Sequence, residues 1–128
     1  LSESINKFKK IKKTSNLPVC LLNLKKVNDP HRFGIATIEN KKIVNLVEKP
    51  AKPKSDLCVT GIYIYDNFVF TAVENIKISS RGEYEITEVN NFYVKEGVAE
   101  YNVLDDWWID AGTFASYHKA NEMINSDY

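Results

Sequence analysis

The first apolar positions of the chain, Ile5, Phe8 and Ile11, recur three residues apart through a stretch that also holds five lysines between Lys7 and Lys13. That spacing predicts an amphipathic helix over Ser2 to Lys13, with the lysines read more economically as its solvated face than as a phosphate-binding arm. Asn16-Leu17-Pro18 ends the helix, and the apolar run Val19 to Leu24, short and bounded by turn signals, predicts a buried strand. A helix feeding such a strand points to an α/β layer. After the turn at Asn28-Asp29-Pro30, Ile35 to Ile38 and Ile43 to Val47 predict two strands of a hairpin joined by Glu39-Asn40-Lys41-Lys42. The Pro50 to Pro53 stretch stops that ladder.

Val59 to Tyr65 is β-branched and aromatic, interrupted by Gly61, and predicts an interior strand whose missing side chain lets something approach the backbone. From Asn67 to Asn75 the apolar positions return to helical spacing. Ser79 to Gly82 reads as a loop, and Glu83 to Val94 as a helix with Ile86, Val89, Asn90 and Tyr93 on one side and Gly97 as its stop. Val98 to Leu104 predicts a strand running into Asp105-Asp106-Trp107-Trp108-Ile109-Asp110-Ala111-Gly112-Thr113. Thr113 should cap a last helix, Phe114 to Ile124, with Phe114, Tyr117, Ala120, Met123 and Ile124 on its apolar side.

A chain of 128 residues, 44% hydrophobic, can bury roughly two thirds of its unfolded surface, which suits a single globular domain over residues 1–128. Its 17 basic and 17 acidic residues cancel, so bulk charge offers nothing to nucleic acid. Cys20 and Cys58 sit in apolar runs without a second Cys or His at zinc-like spacing, and are expected as buried free thiols in a reducing compartment. No apolar stretch is long enough for a membrane span, and the first residues lack a signal-peptide core. The expected setting is cytoplasmic, with no membrane partner.

Candidate chemistry concentrates at strand ends. Asp110 lies between a strand and a capped helix, where α/β sheets bind ligands. It could hold Mg²⁺ if phosphates supply further oxygens, or it could bond the Gly112-Thr113 amides as a structural acid. Glu48 and Lys49 end the second hairpin strand, on opposite faces of the pleat. They suit sugar hydroxyls and a phosphate, or simply a charged surface end. Gly34 and Gly61 each sit beside apolar residues, which fits close approach to a ligand or an ordinary turn or bulge. His31 and His118 lack suggestive partners and read as surface residues. The chain contains no phosphate-cradling glycine loop, nucleophile elbow or metal-ligating His pair.

The ordered motifs DPHRFG, VEKP, KPKSDLCVTGIYIYD, SSRGEYEITEVNNFYVKEG and WWIDAGT resemble the second half of the sugar-phosphate nucleotidyltransferases over about Leu1 to Ile124. RGEYEITEVN is more similar to the glucose-1-phosphate thymidylyltransferase branch than to the uridylyl- or guanylyltransferases. The resemblance implies part of a Rossmann-like α/β/α sandwich with a mixed sheet, its N-terminal half absent. It also implies conversion of dTTP and glucose 1-phosphate to dTDP-glucose and pyrophosphate with Mg²⁺. By the same resemblance, Asp110 is the metal acid, buried beside its aromatics, and Lys49 holds the sugar phosphate. Glu48 meets the sugar hydroxyls; Gly34, Val59, Thr60, Gly61 and Tyr63 wall the hexose; Trp108 packs beside it; Arg81 stands at the pocket edge. The family's GxGTRL-type loop and most of its dTTP site are not in this sequence, so the chain is expected to be an inactive fragment of a homo-oligomeric enzyme. The alternative is a non-catalytic sugar-phosphate-binding or regulatory module of the same fold.

Overall fold

A computed structural model describes residues 1–79 and 82–126. The chain runs α1 (Ser2–Thr14), β1 (Cys20–Lys26), a 3₁₀ turn (Pro30–Arg32), β2 (Gly34–Glu39), β3 (Lys42–Glu48), β4 (Leu57–Tyr65), α2 (Val69–Asn75), α3 (Ile86–Lys95), β5 (Ala99–Val103) and α4 (Phe114–Ser126). Five strands form one mixed sheet in the order β3-β2-β4-β1-β5. Among the described residues β1 and β5 pair in parallel, and the pairings β1–β4, β2–β3 and β2–β4 are antiparallel.

The first five residues of β1, Cys20 to Leu24, are buried on both faces of the sheet, and all but Asn23 are apolar. Cys20, Leu22 and Leu24 join a core with Ala72 of α2 and Val89 and Tyr93 of α3. The alternate residues Leu21 and Asn23 are equally buried, and Ser4 of α1 donates to Asn23 Oδ1 at 2.5 Å. Helix α1 thus covers one face and α2 with α3 the other. The residue that α1 buries fully is Ser4, whereas Ile5 is 37% exposed. The apolar stripe read from sequence is displaced toward a polar contact because β1 presents Asn23 there. Two of the lysines are also not merely solvated: Lys12 pairs with Asp66 at 3.2 Å, and Lys7 donates to the Tyr101 carbonyl at 2.6 Å.

The β2/β3 hairpin turns at Asn40 and Lys41, φ 49° and 62°. Two successive positive φ values match the twist of the strands they join. α3 begins at Ile86, three residues after the expected start, because Glu85 is extended (φ −108°, ψ 134°). Thr87 is buried on its inner side while Ile86 is 43% exposed. Gly97 stops the helix in the left-handed region, φ 69°, as expected. Thr113 caps α4, its Oγ1 accepting from the Ser116 amide at 3.2 Å. The apolar side expected of α4 is not packed: no residue of this helix is buried, and Phe114 is 90% exposed. Helical periodicity identifies the stripe, but no facing surface within the described residues covers it. No helix among the described residues is long and apolar enough to cross a membrane.

Both cysteines are free and buried. Burial, and next the Asp66 carboxylate, push the Cys20 thiol far up. Burial chiefly pushes Cys58 up to about 11. At pH 8 both should resist iodoacetamide in the native chain and react once urea unfolds it; rapid native labelling would contradict this burial. The stability that Cys58 contributes is fully present below its ordinary 9.0 and is lost as pH rises toward about 11.

Candidate active site

The strand ends converge through three local devices. First, Gly34 at the start of β2 lies opposite Glu48 at the end of β3, and Thr87 of α3 donates to Glu48 Oε2 at 2.6 Å. A Cβ on Gly34 would sit 3.0 Å from that oxygen and 3.3 Å from Thr87 Oγ1. Glycine is therefore required where the Glu48–Thr87 pair passes over the backbone. Thr87 orients the carboxylate. Sequence reading missed Thr87, although a hydroxyl three residues before Asn90 on the buried side of a helix is a usable signal.

Second, β4 bulges. Leu22 of β1 pairs with Tyr63 and Leu24 with Val59, leaving Asn23 opposite Thr60, Gly61 and Ile62. Asn23 spans the irregularity: its carbonyl accepts from Thr60 Oγ1 at 2.9 Å and its Nδ2 donates to the Ile62 carbonyl at 3.1 Å. Gly61 takes φ +77° and has nothing within 4 Å of its Cβ position, so its backbone faces open space. Third, the segment after β5 brings Trp108 edge-on to Phe33, with ring centroids 5.6 Å apart and planes at 71°.

These devices line one cleft of about 230 Å³. Gly34, Glu48, Val59, Thr60, Gly61, Tyr63, Trp108 and Asp110 meet there, together with Thr87 and Arg32. Burial, and then the Glu48 carboxylate, raise the Tyr63 hydroxyl above its ordinary value, so it stays neutral at physiological pH. A second hollow of about 550 Å³ shares Arg32, Phe33, Trp108 and Asp110 with the first and adds Lys26 and Lys119. Asp110 thus borders both spaces.

Two expected features differ. Lys49 does not line the cleft: β3 ends at Glu48, and Lys49 turns out of the pleat at φ 42° with its amide bonded to the Phe33 carbonyl at 3.0 Å. Its side chain is exposed, and the residue lies past the end of β3 rather than on the opposite face of the strand from Glu48. Asp110 is exposed, not buried. Trp108 packs against Phe33, and the Asp110 carboxylate folds toward Gly112, where a Cβ would lie 3.3 Å from Oδ1. Arg81 lies outside the described residues.

Neither Gly112 nor Thr113 donates an amide to Asp110 among the described residues; the Thr113 amide goes to Ser116 Oγ at 3.1 Å. The structural reading of Asp110 loses its main support. Among the described residues no group of three His, Cys, Asp or Glu side chains is placed to hold a metal. A single exposed carboxylate fits a Mg²⁺ ion that takes its remaining ligands from phosphates and water, not a preformed protein cage.

The profile of the family described as nucleotidyl transferase matches residues 1–127. The chain belongs to the nucleotidyl transferase family. Within it, a glucose-1-phosphate thymidylyltransferase of Neisseria meningitidis is 39% identical over 103 residues, 78% of this chain and 36% of that protein. The chain therefore corresponds to little more than a third of that relative's length. A Bacillus anthracis structure assigned to glucose-1-phosphate thymidylyltransferase, in complex with a sucrose, superposes with a TM-score of 0.79 at 44% identity, covering 93% of this chain and 48% of that one. A UTP-bound UGPase from Acinetobacter baumannii, 19% identical, superposes at 0.74 over 99% of this chain and 45% of its own, a likeness of fold alone. The mixed sheet with helices on both faces is the Rossmann-like α/β fold of these nucleotidyl transferases.

Proposed function

We propose that this chain carries the sugar-phosphate side of a site converting dTTP and glucose 1-phosphate to dTDP-glucose and pyrophosphate. The observation that supports this most is the convergence of Glu48, Tyr63, Trp108, Asp110 and the Gly61 backbone on one cleft from three separate segments, the end of β3, the irregular stretch of β4 and the chain after β5. In this reading a phosphate oxygen of glucose 1-phosphate attacks the α-phosphorus of dTTP and pyrophosphate leaves. The protein contributes position and charge.

Glu48, held by Thr87, accepts from the sugar hydroxyls. Tyr63, Val59, Thr60 and the Gly61 backbone wall the hexose, and Trp108 closes it with an aromatic edge. Lys49 sets its ammonium against the sugar phosphate from the rim. Asp110 would hold Mg²⁺, which when bound supplies charge neutralisation to the reacting phosphates. The complete enzyme, by the resemblance, is a cytoplasmic homo-oligomer.

The sequence holds no glycine-rich triphosphate-loop motif, so the chain by itself should release no pyrophosphate from dTTP and glucose 1-phosphate. The full-length protein that carries it should do so only with both substrates present. Release by the isolated chain would refute the division of labour. Its absence from the full-length protein would favour a binding or regulatory module.

A further inference from the structure

The segment that carries Trp108 and Asp110 has no regular secondary structure between β5 and α4, so something else must set its course. Lys25, the penultimate residue of β1, is half-buried. Its ammonium donates to three successive carbonyls at the root of that segment: Leu104 at 3.0 Å, Asp105 at 2.9 Å and Asp106 at 2.7 Å. An ammonium has three N–H donors, and all three are used. The adjacent Lys26 differs entirely, with a 75% exposed side chain paired to Asp56.

We propose that Lys25 is a positioning residue that sets Trp108 and Asp110 in the cleft by gathering the Leu104–Asp106 carbonyls; the kinetic part of this rests on the function proposed above. Three carbonyl dipoles pointing at one centre repel each other unless a cation sits there. With Lys25 in place the chain is turned sharply off the β1/β5 ladder, whose last rung is the Leu104 amide to the Leu24 carbonyl at 2.8 Å. Four residues beyond Asp106 lies Asp110. A change of direction at the root is carried along the whole segment, and the Phe33–Trp108 contact alone fixes only one point of it. The side chain acts through backbone and touches no substrate.

The test uses the full-length protein carrying this chain and compares Lys25→Met, Lys25→Arg and Lys7→Met. Lys7→Met is the control, since it also removes an ammonium from a carbonyl, that of Tyr101 within β5. Hydrogen exchange read peptide by peptide should accelerate over residues 104–112 in Lys25→Met and not in Lys7→Met, with β1 and β5 unchanged. Lys25→Arg, whose guanidinium can still donate to several carbonyls, should stay near wild type. Turnover of Lys25→Met should fall about tenfold with KM for dTTP unmoved, as expected for a displaced reacting group. Unchanged exchange over 104–112 would overturn the proposal, and so would accelerated exchange with full turnover. A Lys25→Met protein that does not fold, or that exchanges faster across β1 and β5 as well, would make Lys25 a sheet residue and overturn it too. Absence of turnover in the wild type would instead fail the proposed function, leaving the exchange data to judge the tether.

Discussion

Asp110→Asn should leave folding intact and reduce turnover of the full-length protein by on the order of a hundredfold or more, as loss of a charge aimed at the reacting phosphates does elsewhere. The structural cost should be small. Asp110 is exposed, its cap duties are performed by Thr113 and Ser116 through bonds of 2.8 to 3.2 Å, and exposed substitutions away from such features usually stay within about 0.5 kcal/mol. The amide keeps the size of the side chain and its fold toward Gly112, so a change in rate cannot be assigned to a cavity or a clash. Rate measured against Mg²⁺ concentration, beside a melting curve, separates the possibilities. An Asn variant with wild-type rate and unchanged Mg²⁺ dependence would remove Asp110 from metal binding. A variant that melts early would return it to the structural role that the missing amide bonds argue against.

Lys49→Ala is expected to weaken glucose 1-phosphate by roughly 1.5 to 3 kcal/mol, the range for a lost charge-assisted contact, while dTTP is held as before. In dissociation constants that is on the order of ten- to a hundredfold. The substitution is clean because the structural tie of this residue is its backbone: the amide bond to the Phe33 carbonyl survives, and alanine meets the same left-handed φ of 42°. Substrate titrations of wild type and variant decide it. Equal losses for both substrates would mean that Lys49 acts by holding Phe33 and the start of β2, not by meeting a phosphate.

The sequence by itself determined the parts of this protein whose causes are local. The run Val19 to Leu24 specified a buried strand, Glu39-Asn40-Lys41-Lys42 a hairpin connection, Gly97 a helix stop and Thr113 a cap, because each is decided within a few residues by apolar run, φ preference or a nearby bond. Motif order, through resemblance, also named eight residues that the cleft brings together. Tertiary structure alone decided the rest, since its causes lie far apart in the chain. Glu48 is oriented by Thr87, 39 residues away, and that pair in turn explains Gly34. The Lys25 ammonium reaches carbonyls up to 81 residues distant. Periodicity marked an apolar stripe on α4 but could not say what faces it, and Phe114 is exposed. It placed aromatics next to Asp110 but not their rings, and Trp108 turns to Phe33 while the carboxylate remains open to solvent. Dihedral preference and spacing are properties of a few neighbouring residues, whereas burial and side-chain partnership depend on which surfaces the folded sheet brings together.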